Sequence, residues 1–281
     1  MKKVSVKIPA KINLTLDILG RTADGYHDLK SLVASIDIFD KITLKKRKDV
    51  FITIKEKGNK TGLTEENNAY KTARRFMEKY DTAGVDITID KRIPIANGLG
   101  GSSADIAAVL IAMKKLFKVD CDLNDLAKEL GSDVCYMLNG GLTIIEGKGD
   151  KAEYSIKKRK LFLNIITNKQ PISSKESYAE FDKQHKMYDE TSENCAFALI
   201  NNNYQEFVSY VKNDLYNASI KFVPDMEEKI TALKESGADV AVMTGSGSAV
   251  YGIYADKKAR NNAYKTLFMK YGDEVLKQKT I

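Results

Sequence analysis

The sequence predicts an α+β protein with two domains. Its 281 residues are about twice the ~150 residues that one domain commonly has. Segments with the alternating apolar pattern of strands and segments with the apolar pattern of helices occur in both halves of the chain. A charged stretch rich in turn-forming residues, Gly147 to Lys160, separates the halves. We therefore expect one domain over residues 1–150 and a second over residues 151–281.

The first third of the chain is predicted to be mainly strands. Apolar residues alternate with polar ones at Ile12 to Ile18, at Ile42 and Leu44, at Ile52 and Ile54, and at Val85 to Ile89. One helix over Asn68–Tyr80 interrupts the strands, and Asn67 is its expected N-cap.

The rest of the chain alternates helices with strands. The helical pattern predicts helices over Ser103–Phe117, Leu123–Leu130 (beginning at Asp122), from Ser132 onward, and over Lys175–Phe181, Asn194–Ile200, Tyr204–Val211 and Asp225–Ser236. Strands are predicted over Leu142–Ile145, Leu161–Ile166, Val240–Met243 and Ala249–Tyr254.

Composition excludes several classes of protein. Hydrophobic residues make up 43% of the chain, which argues against a disordered protein. Three cysteines without Cys-x-x-Cys spacing and only two histidines argue against a disulfide framework and against a metal centre with several histidines. No apolar run approaches the ~18 residues of a membrane span, and none follows Met1 to Lys3 as in a signal peptide. We expect a soluble cytoplasmic protein.

The net charge of +7 is compatible with nucleic acid, a membrane surface or an anionic small molecule. The densest basic runs, Lys45–Lys48 and Lys157–Lys160, are short. We interpret them as solvated turns rather than docking patches.

The strongest local motif is the glycine-rich segment Pro94–Asp105, between a predicted strand and a predicted helix. Glycines allow the backbone to approach a ligand closely, and the N–H groups at a helix start favour anions. Ser102 and Ser103 add hydroxyl groups for a phosphate or a phosphate-bound Mg²⁺. The alternative is a glycine-rich turn with a serine N-cap. The spacing fits neither a Walker A loop nor the dinucleotide-binding fingerprint.

A second cluster of small residues, Met243–Ser248, joins two predicted strands. It could be a plain hairpin turn. Its five small residues in a row exceed what a hairpin needs, so close approach to a ligand or to the first glycine loop is the other interpretation.

Three further segments carry candidate polar groups. Lys11 and Asn13 share one face of a strand, and in isolation they could simply face solvent. Tyr26 and His27 can stack on and hydrogen-bond a flat heterocycle, although their loop could also be an ordinary turn. Asp133 stands at a predicted helix start, either as an N-cap or as a carboxylate poised as a general base.

Taken together, these features resemble the GHMP kinases, a family named after its galacto-, homoserine, mevalonate and phosphomevalonate members. The matching segments follow the family order along nearly the whole chain: Pro9–Leu14, Gly20–Leu29, Ile36–Asp40, Pro94–Ala104, Gly131–Val134, Gly147–Asp150, Ile172–Tyr178, Asn213–Leu215 and Met243–Ser248. The first two are typical of the branch that acts on a cytidine diphosphate-linked methylerythritol.

The resemblance implies a fold and an activity. The fold would pair an N-terminal domain like ribosomal S5 domain 2 with a ferredoxin-like C-terminal domain, with the active site in the cleft between them. The activity would be ATP-dependent phosphorylation of the 2-hydroxyl of 4-diphosphocytidyl-2-C-methylerythritol, in isoprenoid precursor synthesis without mevalonate. Mg²⁺ would bind through the ATP phosphates, with Ser103 a candidate ligand. No nucleic-acid or membrane partner is implied, and the chain would be a monomer or a homodimer.

The resemblance also assigns residues. Asp133 would be the base for the attacking hydroxyl, and Lys11 its cationic partner. ATP would contact Pro94, Ile95, Ala96, Asn97, Gly98, Leu99, Gly100, Gly101, Ser102, Ser103 and Ala104. The substrate would contact Asn13 at its methylerythritol end, Tyr26, His27 and Tyr178 at the cytosine, and Ser174, Gly245 and Ser246.

The chain departs from the branch at several positions. Ala34 stands where glutamine is usual, Ser102 where glycine is usual, and Ser174 where threonine is common, while Asn97 and Ile106 replace small residues. Two other interpretations therefore stay open. One is a GHMP kinase for another small alcohol, and the other is a non-catalytic RNA-binding protein on the same fold.

Overall fold

The computed structural model describes residues 2–58, 66–157, 159–184 and 189–281. Lys158, in the second basic run, lies outside these ranges. The strands formed by the described residues are β1 (Lys3–Asn13), β2 (Thr15–Arg21), β3 (His27–Lys46), β4 (Ile52–Gly58), β5 (Val85–Lys91), β6 (Leu142–Gly147), β7 (Lys151–Ile156), β8 (Phe162–Ile166), β9 (Lys212–Asn213), β10 (Val240–Met243), β11 (Val250–Tyr254) and β12 (Val275–Lys279).

The helices complete a mixed fold and confirm the predicted α+β class. They are α1 (Asn68–Tyr80), α2 (Gly101–Phe117), α3 (Asn124–Leu130), α4 (Ser132–Asn139), α5 (Ser174–Phe181), α6 (Ser192–Ile200), α7 (Tyr204–Tyr210), α8 (Tyr216–Ser219), α9 (Asp225–Glu235) and α10 (Lys257–Tyr271). None of the helices in the described part of the chain is both long and apolar enough to span a bilayer.

Contacts within the chain divide it into two compact units. Unit 1 comprises Met1–Ala10, Ile38–Ile95 and Gly100–Gly140, and unit 2 comprises Lys11–Asp37, Ala96–Leu99 and Gly141–Ile281. Each unit thus consists of several chain segments, because β1 and β3 contribute residues to both. The predicted domain boundary after residue 150 stays a prediction.

The described residues of unit 1 form strands together with helices α1 to α4. β5 pairs in parallel with β4 and antiparallel with the Lys41–Lys46 part of β3. The side chain of Asn67 accepts a hydrogen bond from the Ala69 N–H. Asn67 is therefore the N-cap of α1, as predicted from the sequence. Helix α2 is buried along most of its length.

Unit 2 contains an antiparallel sheet in the order β10-β11-β8-β12. Helices α9 and α10 pack against its strands. Elsewhere in unit 2, β6 pairs with the Leu29–Ala34 part of β3 and continues into β7 through a hairpin.

Strand β7 and helix α10 are among the elements that the sequence did not predict. The stretch from Gly147 to Lys160 is not simply a turn: Gly147 and Gly149 adopt positive φ in a tight turn, and strand β7 follows. Helix α10 was not predicted from the sequence because its buried face consists of Arg260, Ala263 and Leu267. This face is too narrow an apolar stripe to give the periodic pattern of an amphipathic helix.

Candidate functional site

The first glycine loop leads directly into a helix start. Gly100 is the N-cap of α2 with φ of 73°, and none of the described side chains makes a capping hydrogen bond at this end. The alternative of a serine N-cap is therefore wrong, and Ser102 and Ser103 lie in the first turn of the helix. The Ser102 hydroxyl accepts a hydrogen bond of 2.5 Å from the Asn68 side-chain amide. The first N–H groups of a helix have no partner within it, so this end of α2 can bind an anion.

A buried lysine anchors this helix start within unit 1. The Lys91 ammonium donates to the carbonyl of Gly101 (3.0 Å) and to carboxylate oxygens of Asp40 and Asp105 (both 2.6 Å). The second oxygen of Asp40 accepts the main-chain N–H groups of Arg92 and Ile93. All three charged side chains are buried.

Burial raises the pKa of Asp105 to about 7, and the nearby Asp40 carboxylate adds to this, while Lys91 opposes it. The cluster therefore holds a carboxyl group that titrates near neutrality. The sequence analysis did not select Lys91. Its position nevertheless indicates burial, because Lys91 continues the inward-facing register of Val85, Ile87 and Ile89 along β5.

The second glycine loop lies against the first within unit 2. A Cβ atom added to Gly98 would come within 2.2 Å of the Thr244 carbonyl oxygen, and one added to Gly245 within 3.1 Å of the Gly98 oxygen. Close approach of the second loop to the first is confirmed. The Asn213 side-chain amide holds this arrangement by donating to the carbonyls of Met243 (2.9 Å) and Gly245 (2.8 Å).

Lys11 and Asn13 are buried, with 5% and 3% of their surfaces exposed, so the solvent-facing interpretation is wrong. The Lys11 ammonium donates to the Asn13 side-chain oxygen at 2.8 Å, and the Asn13 amide donates to the Ser31 hydroxyl at 2.8 Å. The main-chain N–H of Asn13 donates to the Thr244 hydroxyl at 3.0 Å. Unit 2 thus brings the lysine, the asparagine and the second glycine loop together.

Two of the predicted cytosine-binding residues, His27 and Tyr178, contact each other. His27 stacks on Tyr178, with ring centroids 4.6 Å apart, and its Nε2–H donates to Asp182 at 2.7 Å. A spacing of 4.6 Å leaves no room for a base between these two rings. Tyr26 is 61% exposed.

The Lys148 ammonium lies 4.3 Å from the centroid of the Tyr26 ring. Lys148 also pairs with Asp24, and this hydrogen bond lowers the pKa of Asp24 to about 2. Asp182 and Lys148 had no role in the sequence prediction, although Lys148 lies in one of the matching segments.

Ser174 and Ser246 meet through their hydroxyl groups, which are 2.8 Å apart. The Ser246 carbonyl also accepts hydrogen bonds from the hydroxyls of Ser177 (3.3 Å) and Ser219 (3.1 Å). The second glycine loop is therefore tied to helix α5, which carries the predicted substrate residues Ser174 and Tyr178.

Asp133 lies in the first turn of α4, in unit 1, and is half-buried. Gly131 is the N-cap of this helix, so the N-cap interpretation of Asp133 is wrong. A carboxylate in the first turn is favoured by the helix dipole. Across the described ranges, no cluster of three or more His, Cys, Asp or Glu residues could hold a metal ion.

Comparison with known proteins relates both parts of the chain to one family. Residues 67–143 match the model of the GHMP kinases N-terminal domain, and residues 196–272 match the GHMP kinases C-terminal model. The chain is 35% identical over 263 residues to 4-diphosphocytidyl-2-C-methyl-D-erythritol kinase of Macrococcus caseolyticus, covering 92% of this chain and 93% of that protein.

Solved structures agree in fold. A crystal structure of 4-(cytidine 5'-diphospho)-2C-methyl-D-erythritol kinase superposes with a TM-score of 0.84 at 26% identity and covers 99% of both chains. Homoserine kinase from Cytophaga hutchinsonii superposes with a TM-score of 0.78 over 100% of this chain and 98% of that one, at 17% identity. This second likeness concerns the fold alone.

Proposed function

This chain belongs to the GHMP kinase family, and on that premise we propose that it phosphorylates the 2-hydroxyl of 4-diphosphocytidyl-2-C-methyl-D-erythritol with ATP. The observation that carries this proposal is the 35% identity over 92% of the chain to a kinase with that name. The product would be the 2-phosphate, an intermediate of isoprenoid precursor synthesis. The buried pair of Lys11 and Asn13 adds support, because a buried polar pair of this kind is suited to hold a substrate hydroxyl or phosphate.

The ATP phosphates would bind the first glycine loop, residues Pro94 to Ala104. The support is its local geometry: Gly98 and Gly100 have positive φ, and α2 begins at Gly101 with its N–H groups at the loop. Mg²⁺ would bind through the ATP phosphates, with the Ser103 hydroxyl as its candidate protein ligand. The Mg²⁺ ion would neutralise part of the negative charge of the phosphates.

Phosphoryl transfer depends on positioning and charge neutralisation more than on covalent chemistry. Asp133 would accept the proton of the 2-hydroxyl as its oxygen attacks the terminal phosphorus of ATP, and the bond from that phosphorus to the ADP oxygen breaks. Lys11 would offset the negative charge that develops on the transferred oxygens. Asn13 would bind the methylerythritol end, in keeping with its fixed side-chain amide.

The cytidine end would be bound by Tyr26, His27 and Tyr178, with Ser174, Gly245 and Ser246 on the same side of the substrate. The stacking of His27 on Tyr178 suggests that cytosine packs on the outside of this ring pair or on Tyr26. The proposal includes a cytoplasmic location, no nucleic-acid or membrane partner, and a monomer or homodimer.

The test measures ADP release from ATP and Mg²⁺, with the cytidyl substrate and with homoserine, mevalonate and galactose in parallel. We expect release with the cytidyl substrate only, and a loss of at least about a thousandfold in kcat for Asp133→Asn and Lys11→Ala. Asp125→Asn is the matched control, because Asp125 lies in the first turn of α3 and is exposed. If only another alcohol were phosphorylated, that alcohol would be the substrate and the cytidyl proposal would be rejected. Unchanged rates in Asp133→Asn would reject the role of Asp133 as the base.

A further inference from the structure

The turn that opens the first glycine loop contains a strained residue. Ala96 has φ of 55°, in the left-handed region that a residue with a Cβ atom rarely adopts. Such a conformation persists only where the surrounding structure enforces it. Within unit 2, contacts of the next residue, Asn97, supply that restraint.

Asn97 is joined to Asn168 by two reciprocal hydrogen bonds. Its side-chain oxygen accepts the main-chain N–H of Asn168 at 2.9 Å, and its side-chain amide donates to the Asn168 carbonyl at 3.2 Å. The two residues are 6% and 7% exposed. One asparagine side chain therefore satisfies both main-chain groups of a buried residue, which fixes its position and orientation.

The side chain of Asn168 continues the network to the second glycine loop. Its amide donates to the Ser248 carbonyl, and its oxygen accepts a hydrogen bond from the Lys229 ammonium. Lys229 is itself buried and donates to the Thr167 carbonyl and to Glu274, both at 2.9 Å. Lys229 thus fixes the Asn168 amide with its N–H group directed at Ser248.

We propose that Asn97 and Asn168 form a clamp that holds the strained turn of the first glycine loop against the second loop, and that both are positioning residues for ATP binding. The inference rests on the proposed function in one respect, that this loop binds ATP. Without the clamp, the turn at Ala96 relaxes and only a fraction of molecules keeps the loop in its binding conformation. The apparent affinity for ATP falls by that fraction, while ATP at saturation restores the conformation.

The experiment compares Asn97→Ala with the wild type. We expect the KM for ATP to rise about tenfold, with kcat and the KM for the alcohol substrate nearly unchanged. The matched control is Asn164→Ala, because Asn164 on strand β8 is fully buried and its side-chain amide donates to the Arg260 carbonyl of helix α10. It should lower thermal stability without changing the KM for ATP. Equal KM values for ATP in Asn97→Ala and the wild type would overturn the proposal.

A second variant tests the role of strain. Glycine adopts positive φ without a steric penalty, so Ala96→Gly combined with Asn97→Ala should recover part of the lost ATP affinity. If Asn97 acted only by contacting ATP directly, Ala96→Gly would restore no affinity, so a lack of recovery would count against the clamp. Should Asn97→Ala fail to fold, Asn97→Ser carries the same comparison.

Hydrogen exchange separates failure of the clamp from failure of the proposed function. In Asn97→Ala, the main-chain N–H of Asn168 loses its acceptor. Hydrogen exchange should therefore be faster at Asn168 and over residues 94–100. In Asn164→Ala, exchange at these positions should remain unchanged. Faster exchange in a protein that does not bind ATP would keep the clamp and reject the ATP role of the loop. Unchanged exchange at Asn168 would reject the clamp itself.

Discussion

The two glycine loops look alike in sequence but are anchored by different chemistry. At the helix start of the first loop, a buried ammonium, Lys91, holds the Gly101 carbonyl and is paired with two carboxylates. In the second loop, a neutral amide, Asn213, holds the carbonyls of Met243 and Gly245. The first anchor brings charge and a titratable group to its loop, and the second brings only hydrogen bonds.

A run of small residues therefore indicates close approach of the backbone but does not identify its partner. In the first loop, the helix start presents N–H donors. In the second loop, main-chain carbonyl groups accept hydrogen bonds from the Asn213 amide and from the hydroxyls of Ser177 and Ser219. The first loop is therefore suited to a phosphate, and the second to supporting the first.

The largest expected effect comes from Gly98→Ala, at the point where the two loops touch. The new Cβ atom would lie 2.2 Å from the Thr244 carbonyl oxygen, and the backbone φ of 72° is strained for alanine. One loop must move, so we expect a loss of about 3 kcal/mol in the free energy of unfolding. Because a displaced first loop no longer presents its N–H groups to a phosphate, ATP affinity should fall about a hundredfold, which equals about 2.7 kcal/mol of binding free energy. Urea unfolding and ATP titration measure the two effects.

Gly237→Ala is the matched control for this variant. Gly237 has φ of 93°, but no atom of the described residues lies within 4 Å of an added Cβ atom. It should cost only the conformational strain, about 1 kcal/mol, and leave ATP affinity as it is. Similar losses in both variants would show that contact between the loops does not matter.

A smaller effect is expected when the neutral anchor is removed. Asn213→Ala leaves the carbonyls of Met243 and Gly245 without their buried donor, which should lower the free energy of unfolding by about 2 kcal/mol. Because an amide does not titrate, the loss should be the same at pH 6 and pH 8. Asn203→Ala, at the exposed N-cap of α7, should cost about 1 kcal/mol. A loss at Asn213 that changed with pH would contradict the neutral character of this anchor.

The sequence predicted most elements because their signals are local. Asn67 caps α1 through its own side chain, and the alternation of β5 is visible in its own residues. Helix α10 escaped prediction because its buried face includes Arg260, whose guanidinium donates to the Gln278 carbonyl on β12. A charged residue at an inward position looks like an exposed one until its distant partner is known.

The same limit applies to the candidate site. Spacing along the strand placed Lys11 and Asn13 on one face, and residue type selected the glycine loops. Two anchors of those loops, Asn168 and Asn213, come from remote parts of the chain, so nothing in the loop segments identifies them. Lys91 lies just before the first loop, and only the inward register of β5 marks it. The roles assigned to Lys11 and Asp133 stay predictions until the variants are measured.

The smallest effect concerns the charged anchor and its dependence on pH. Burial raises the pKa of Asp105 from 3.8 to about 7, so between about pH 4 and pH 7 the folded protein binds a proton that the unfolded chain has lost. The contribution of Asp105 to stability is therefore present at low pH and is lost as pH rises through about 7. Asp105→Asn lacks this dependence of stability on pH. The free energy of unfolding of the variant should therefore rise relative to that of the wild type by about 1.4 kcal/mol between pH 6 and pH 8.

Urea unfolding of both proteins across this range measures that difference. Asp24→Asn is the control with the opposite sign, because the pKa of Asp24 is lowered to about 2 by its hydrogen bond to Lys148. Its contribution is lost only as pH falls below about 4, so its difference from the wild type should be flat from pH 5 to pH 8. A flat difference for Asp105→Asn as well would mean that the anchor of the first loop is, like that of the second, insensitive to pH. The contrast between the loops would then be one of hydrogen-bond partners alone.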